Sequence, residues 1–197
     1  MWYDWYNMVK TSLLFLLECA PMVIFYVASY QYNFITSTII YVCATIAVVA
    51  AMLLYQKRLP ALSLIFGFFV IVSGILTFFG DNPDIIIFSD TVYFFLGAAV
   101  LYRSHRWPKP LLERLFGQSF DLLPAGWRRL TWYWFGIFLV AGISNEVVRH
   151  TMTPEWWIGF QFWRSLIIIT LAFCLFPVCR QYRNSETTNH WGVRIAR

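Results

Sequence analysis

The stretch ITSTIIYVCATIAVVAAMLLY, residues 35–55, contains no charged side chain and runs directly into Gln56-Lys57-Arg58. A helix needs about 20 mostly apolar residues at ~1.5 Å each to cross ~30 Å of hydrocarbon, and this run has that length. It lacks the period-two alternation of a membrane barrel strand, and in lipid every backbone amide must be paired within the segment, so the run is expected to be a transmembrane helix.

Five further runs flank it: Leu13 to Tyr30, Leu62 to Phe79, Ile85 to Tyr102, Leu130 to Val148 and Trp156 to Phe176. The third and fourth spans are separated by Gly80-Asp81-Asn82-Pro83-Asp84, a tight polar turn. The pattern predicts an all-α, polytopic bundle of about six spans, with a single membrane-embedded domain over residues 1–183 and a disordered cytoplasmic tail over 184–197. Composition agrees, with 59% hydrophobic and 13% charged residues, against roughly 45–50% and about 25% in soluble domains. The first run follows Lys10 and has the length of a secretory signal, but no small-x-small cleavage site follows it, so it is read as a retained span. Cys19, Cys43, Cys174 and Cys179 lie in or at the end of apolar runs with no C-x-x-C pair, which favours packing over disulfide or metal chemistry.

The longest polar connection, Arg103 to Arg129, carries Arg103, Arg106, Lys109, Arg114, Arg128 and Arg129 against Glu113 and Asp121. Pro110 is suited to a first helical position, and Leu112, Phe116 and Phe120 recur every fourth residue, which predicts a short amphipathic helix on the membrane surface. With six spans, these basic residues, Lys57, Arg58, Arg180, Arg183, Arg194 and Arg197 share one side, while the other has only Arg149 and collects Asp81, Asp84, Glu146 and Glu155. The positive-inside rule then puts both termini in the cytoplasm. A five-span alternative leaves the first run outside the membrane and moves the amino terminus outward. Because the net charge of +5 sits in these short connections, it reads as topology and not as a nucleic-acid surface.

Polar groups inside the spans need an explanation, because a charge in hydrocarbon costs several kcal/mol unless it is paired or protonated. Glu18, followed by the helix-bending Pro21, lies in the first span and Arg164 in the sixth, so a Glu18–Arg164 pair is one expectation; a snorkelling Arg164 beside a protonated Glu18 is the other. Together with Asn145 they form a candidate intramembrane polar site. Arg103, Arg106, Lys109, Arg114, Trp127, Arg128 and Arg129 form a candidate cytoplasmic surface for lipid or a partner. Glu146 and His150 share a helix face, a spacing that could hold a metal but falls short of a ligand set, and an ordinary Glu146–Arg149 ion pair is the simpler reading. No phosphate-loop, nucleophile-elbow or zinc-protease motif occurs, so no catalytic residues and no cofactor are assigned.

At Lys109-Pro110-Leu111-Leu112-Glu113-Arg114-Leu115-Phe116-Gly117, then Leu123-Pro124 and Trp127-Arg128-Arg129-Leu130, the chain resembles the bacterial intracellular septation protein A family, also called the inner membrane-spanning protein YciB family. Glu18-Cys19-Ala20-Pro21 with Phe25, Ala44-Thr45, Tyr55-Gln56-Lys57-Arg58, Asn145-Glu146 and Trp157 with Phe160 extend the likeness. The chain departs at Ile87-Phe88-Ser89-Asp90 and at Gln161, where the family usually carries lysines, so it resembles a divergent member. The resemblance implies an inner-membrane protein of envelope biogenesis and cell division, without enzymatic activity, that contacts elongation and division proteins. A small multi-pass transporter or channel is the alternative, and an oligomer is compatible with small residues such as Ala47, Ala51 and Gly97.

Overall fold

The computed structural model describes residues 20–56, 61–117 and 120–193. These form α1 (residues 20–28), α2 (Phe34–Gln56), α3 (Ala61–Gly80), α4 (Asp84–Ser104), α5 (Leu111–Phe116), α6 (Pro124–Thr151), α7 (Pro154–Cys174) and α8 (Phe176–Gln181). The remaining regular pairing among them is two isolated antiparallel bridges, Phe120 with Val193 and Leu122 with Arg183. The fold is the expected all-α one. Phe34–Leu54, Asp84–Ser104 and Pro154–Gln181 are each long and apolar enough to cross a membrane, and Gly67–Gly80 is a shorter apolar helix.

Local chemistry sets the helix ends where the sequence places its breaks. The Asn33 side chain accepts from Thr36 N–H at 2.8 Å and caps α2. After α3, Asp81 takes φ 46° and Asn82 N–H reaches back to the Thr77 carbonyl at 3.4 Å, closing the helix with a left-handed residue. Asn82 Oδ1 then receives Asp84 N–H at 2.9 Å and starts α4. Pro154 opens α7, where its missing N–H costs nothing. Hydroxyls within the helices mostly turn back on their own backbone: Thr45 donates to Tyr41 O, Ser73 to Phe69 O, Thr131 to Trp127 O and Thr170 to Leu166 O, all within 2.6–2.9 Å. That keeps them satisfied without water.

The sequence suggests one domain to residue 183, whereas the packing divides into two compact units, each with its own buried cluster. The first takes residues to Asp90 and Asn145–Phe162; the second takes Thr91–Ser144 and Trp163 onward, so α4, α6 and α7 contribute to both. In the first unit α2 and α3 pack closely. A Cβ on Gly74 would stand 2.2 Å from Val42 Cγ2, and one on Gly67 3.2 Å from Val49 Cγ2, so these glycines let the two helices approach. Phe25 stacks on Tyr41 at 4.8 Å, and Trp157 meets Phe25 at 6.4 Å and Phe34 at 6.3 Å.

In the second unit Leu101, Leu112, Leu122, Trp127, Leu130 and Cys179 form the core. Three expectations change here. The surface helix is only Leu111–Phe116, and Phe120 lies beyond it in the bridge to Val193. Leu112 turns into the protein core, so part of the apolar stripe packs on protein. Residues 184–193 are folded, and 194–197 lie outside the described residues. Asp121 N–H donates to Gly192 O at 3.0 Å, Leu123 N–H to Tyr182 O at 2.8 Å and Asn184 N–H to Asp121 O at 3.0 Å. Too polar to bury a core of its own, the tail is held through its backbone by residues 120–123.

Candidate functional site

Asn145 sits near the end of α6, fully buried. Its Nδ2 donates to the Ile87 carbonyl on α4 at 2.9 Å, and its Oδ1 accepts from Trp157 Nε1 on α7 at 2.8 Å. The amide thus works as a bracket between helices. One turn on, Arg149 donates through Nε to both Glu146 oxygens at 3.1–3.2 Å, through Nη2 to Glu146 Oε1, and through Nη1 to Asp84 Oδ2 at 3.0 Å. Glu146 holds the Arg149 pKa above its ordinary value, with Asp84 adding to the effect. His150 Nε2 lies 3.0 Å from Glu146 Oε1, so the helix-face pairing exists, but Arg149 shares the same carboxylate. The expected Glu146–Arg149 ion pair is present.

Pro21 is buried in α1, while Glu18 and the Glu18–Arg164 pair lie outside the described residues. Arg164 is buried at 7% exposure, and its guanidinium lies 4.6 Å from the Phe94 ring centroid. A ring face 4.6 Å away gives a desolvated cation one favourable partner.

The residues expected to form a basic surface lie where α4 ends, α5 follows and α6 begins. Arg103, Arg106, Lys109, Arg114, Arg128 and Arg129 are exposed, and among the described residues none pairs with a carboxylate. Two are steadied by aromatic rings. Arg114 lies 4.9 Å over Trp107 and donates through Nε to Lys109 O at 3.2 Å. Arg129 donates to the Tyr182 hydroxyl at 2.7 Å. Trp127 departs from expectation: it is 4% exposed and belongs to the core. At the first turn of α6 it shares a face with Leu130 and Thr131, both buried, while Arg128 and Arg129 take the outer face.

Sequence reading missed the partners of these residues. Trp157 stood out only as a feature of the family resemblance, and nothing in the spacing joins it to Asn145. Thr187 Oγ1 donates to Asp121 Oδ2 at 2.6 Å across a long sequence separation, and no short motif announces such a pair.

Long apolar helices, self-satisfied hydroxyls and large apolar side chains facing outward, with Leu54 and Phe79 each 81% exposed, define a multi-pass helical membrane protein. The chain belongs to the intracellular septation protein A family, whose model matches residues 13–187. It is similar to the inner membrane-spanning protein YciB of a Bradyrhizobium species, 28% identical over 173 residues that cover 87% of this chain and 86% of the relative. The protein of the same name from Agrobacterium fabrum is 29% identical over 182 residues, covering 83% of this chain and 89% of its own. No solved structure matches the chain.

Proposed function

We propose that this protein is a non-catalytic scaffold or membrane-homeostasis factor of the bacterial inner membrane, taking part in envelope biogenesis and septation, with both termini cytoplasmic. The observation that carries the reading is the basic surface of Arg103, Arg106, Lys109, Arg114, Arg128 and Arg129. It is mounted on a folded platform and has no carboxylate partner among the described residues. Unneutralised cations on a rigid support suit an acidic partner or anionic headgroups, and they steer association from a distance. Family membership supports the envelope and division setting.

A transporter would need an open polar path at the intramembrane polar residues. Asn145 instead spends its amide on Ile87 and Trp157, with no exposed surface. The scaffold reading is therefore preferred.

Charge reversal at Arg103, Arg106 and Arg114 together is expected to weaken co-purification with elongation and division proteins from crosslinked native membranes. Unchanged recovery would overturn the docking role. A reporter fused before Lys10 is expected to read as cytoplasmic; a periplasmic reading would reduce the spans to five.

A further inference from the structure

The last helix has a break near its end. Pro177 has no N–H to donate, and Leu175 to Ala172 at 3.2 Å and Val178 to Leu175 at 3.0 Å are tighter three-residue bonds that carry the chain from α7 into α8. The unbroken part, α7, has 21 residues, about 32 Å at ~1.5 Å each, so it already covers the hydrocarbon before the break. A bilayer measures about 30 Å across its hydrocarbon and about 40–45 Å with its headgroup layers. The turn that carries Arg180 and Gln181 therefore falls among headgroups.

There Pro177, Arg180, Gln181, Arg183 and Ser185 line an open basin of about 540 Å³. The tail holds both arginines: Arg183 Nη1 donates to His190 O at 3.2 Å, and the Arg180 guanidinium lies 6.0 Å from the Trp191 ring centroid. Neither pairs with a carboxylate among the described residues. An aromatic wall adjoins the basin. Phe176 stacks on Phe173 at 6.0 Å and meets Trp191 edge-on at 6.3 Å, and Phe173 is 62% exposed on the lipid-facing side of α7.

We propose that this basin is a binding site for an anionic glycerophospholipid, with its phosphate between Arg180 and Arg183 and its acyl chain along Phe173 and Phe176. Two guanidinium forks match phosphate oxygens and repel the ammonium of a zwitterionic headgroup. Gln181 and Ser185 supply neutral hydrogen-bonding groups for headgroup hydroxyls. The site needs no protein partner, so it stands or falls separately from the docking surface.

The test uses the full chain, purified in mild detergent and offered phosphatidylglycerol, phosphatidylcholine or water-soluble glycerophosphoglycerol, with retention read by native mass spectrometry. Phosphatidylglycerol should be retained in preference to phosphatidylcholine, and Arg180→Gln with Arg183→Gln should cut that retention roughly tenfold. Because Arg183 also supports the tail, Arg180→Gln alone is the second variant, and it should still lose several-fold. Equal retention of the two lipids, or wild-type retention by Arg180→Gln, would overturn the site. If glycerophosphoglycerol binds as well as the lipid, the basin is a site for soluble phosphate and the lipid assignment falls.

Discussion

Trp157 on α7 donates its indole N–H to Asn145 on α6 at 2.8 Å, and Asn145 passes the connection to the Ile87 carbonyl of α4 at 2.9 Å. Between membrane helices such bonds average about 0.6 kcal/mol and reach about 1.7. Trp157→Phe keeps an aromatic ring beside Phe25 and Phe34 but loses the donor and part of the buried indole volume, so it should cost about 1–2 kcal/mol. Asn145→Leu should cost more, because it also strands the Trp157 N–H. Thermal unfolding in detergent, read as a double-mutant cycle, should show coupling between the two positions; strict additivity would mean that the bond contributes nothing.

At Gly126 the close approach is between α6 and the chain leaving α8. A Cβ there would lie 2.4 Å from Tyr182 Cβ, an atom fixed to the backbone. Gly126→Ala should push Tyr182 away, weaken the Leu123–Tyr182 backbone bond and cost about 1–3 kcal/mol. Limited proteolysis of membrane vesicles checks it, with cleavage after Arg180 or Arg183 appearing earlier than in the native chain.

The folded tail gives a separate handle. Removing the Asp121–Thr187 bond by Thr187→Val should speed hydrogen exchange across 184–193 while leaving α6 protected. Gly192 holds φ 81°, and a Cβ would approach Leu122 Cδ2 to 2.8 Å. Gly192→Ala should therefore release the same segment, at a cost of about 1–3 kcal/mol from backbone strain and crowding. An exchange pattern identical to wild type in both variants would rule out the docking described above.

Arg149 should matter in a way that salt can tune. Its pKa is raised by Glu146, so whatever it contributes is present below its ordinary value and is lost only in strong alkali. Arg149→Met leaves Asp84 without its cation and Glu146 with His150 alone. The expected loss is at most about 1 kcal/mol, because the carboxylates are partly exposed and screened. The difference from wild type should stay flat over about pH 8–10, above the range where imidazoles ordinarily change charge, and shrink with added salt. A difference that disappears on raising the pH within this range would be inconsistent with a guanidinium origin.

Much of the helical architecture was legible in the chain because the bilayer imposes a demand on sequence as such. A segment either carries about 20 apolar residues or cannot cross, and a helix alone satisfies its own amides. Hence α2, α3, α4 and α7 begin and end within a few residues of the hydropathy limits, and the turn at Gly80 to Asp84 is where its composition puts it. The polar candidates were legible as residues but not as relationships. Asn145 stands out as an amide in an apolar run, yet its partners come from two other helices, one of them a backbone carbonyl that no sequence pattern marks. Arg128 and Arg129 declare a basic surface, while Trp127 beside them turns inward because helical geometry sends neighbours to different faces. The tail is the clearest case. Its composition cannot support a core, which is a property of the segment alone; its order comes from backbone pairing to residues 120–123 and from Asp121, and only the folded chain brings those groups within hydrogen-bonding distance.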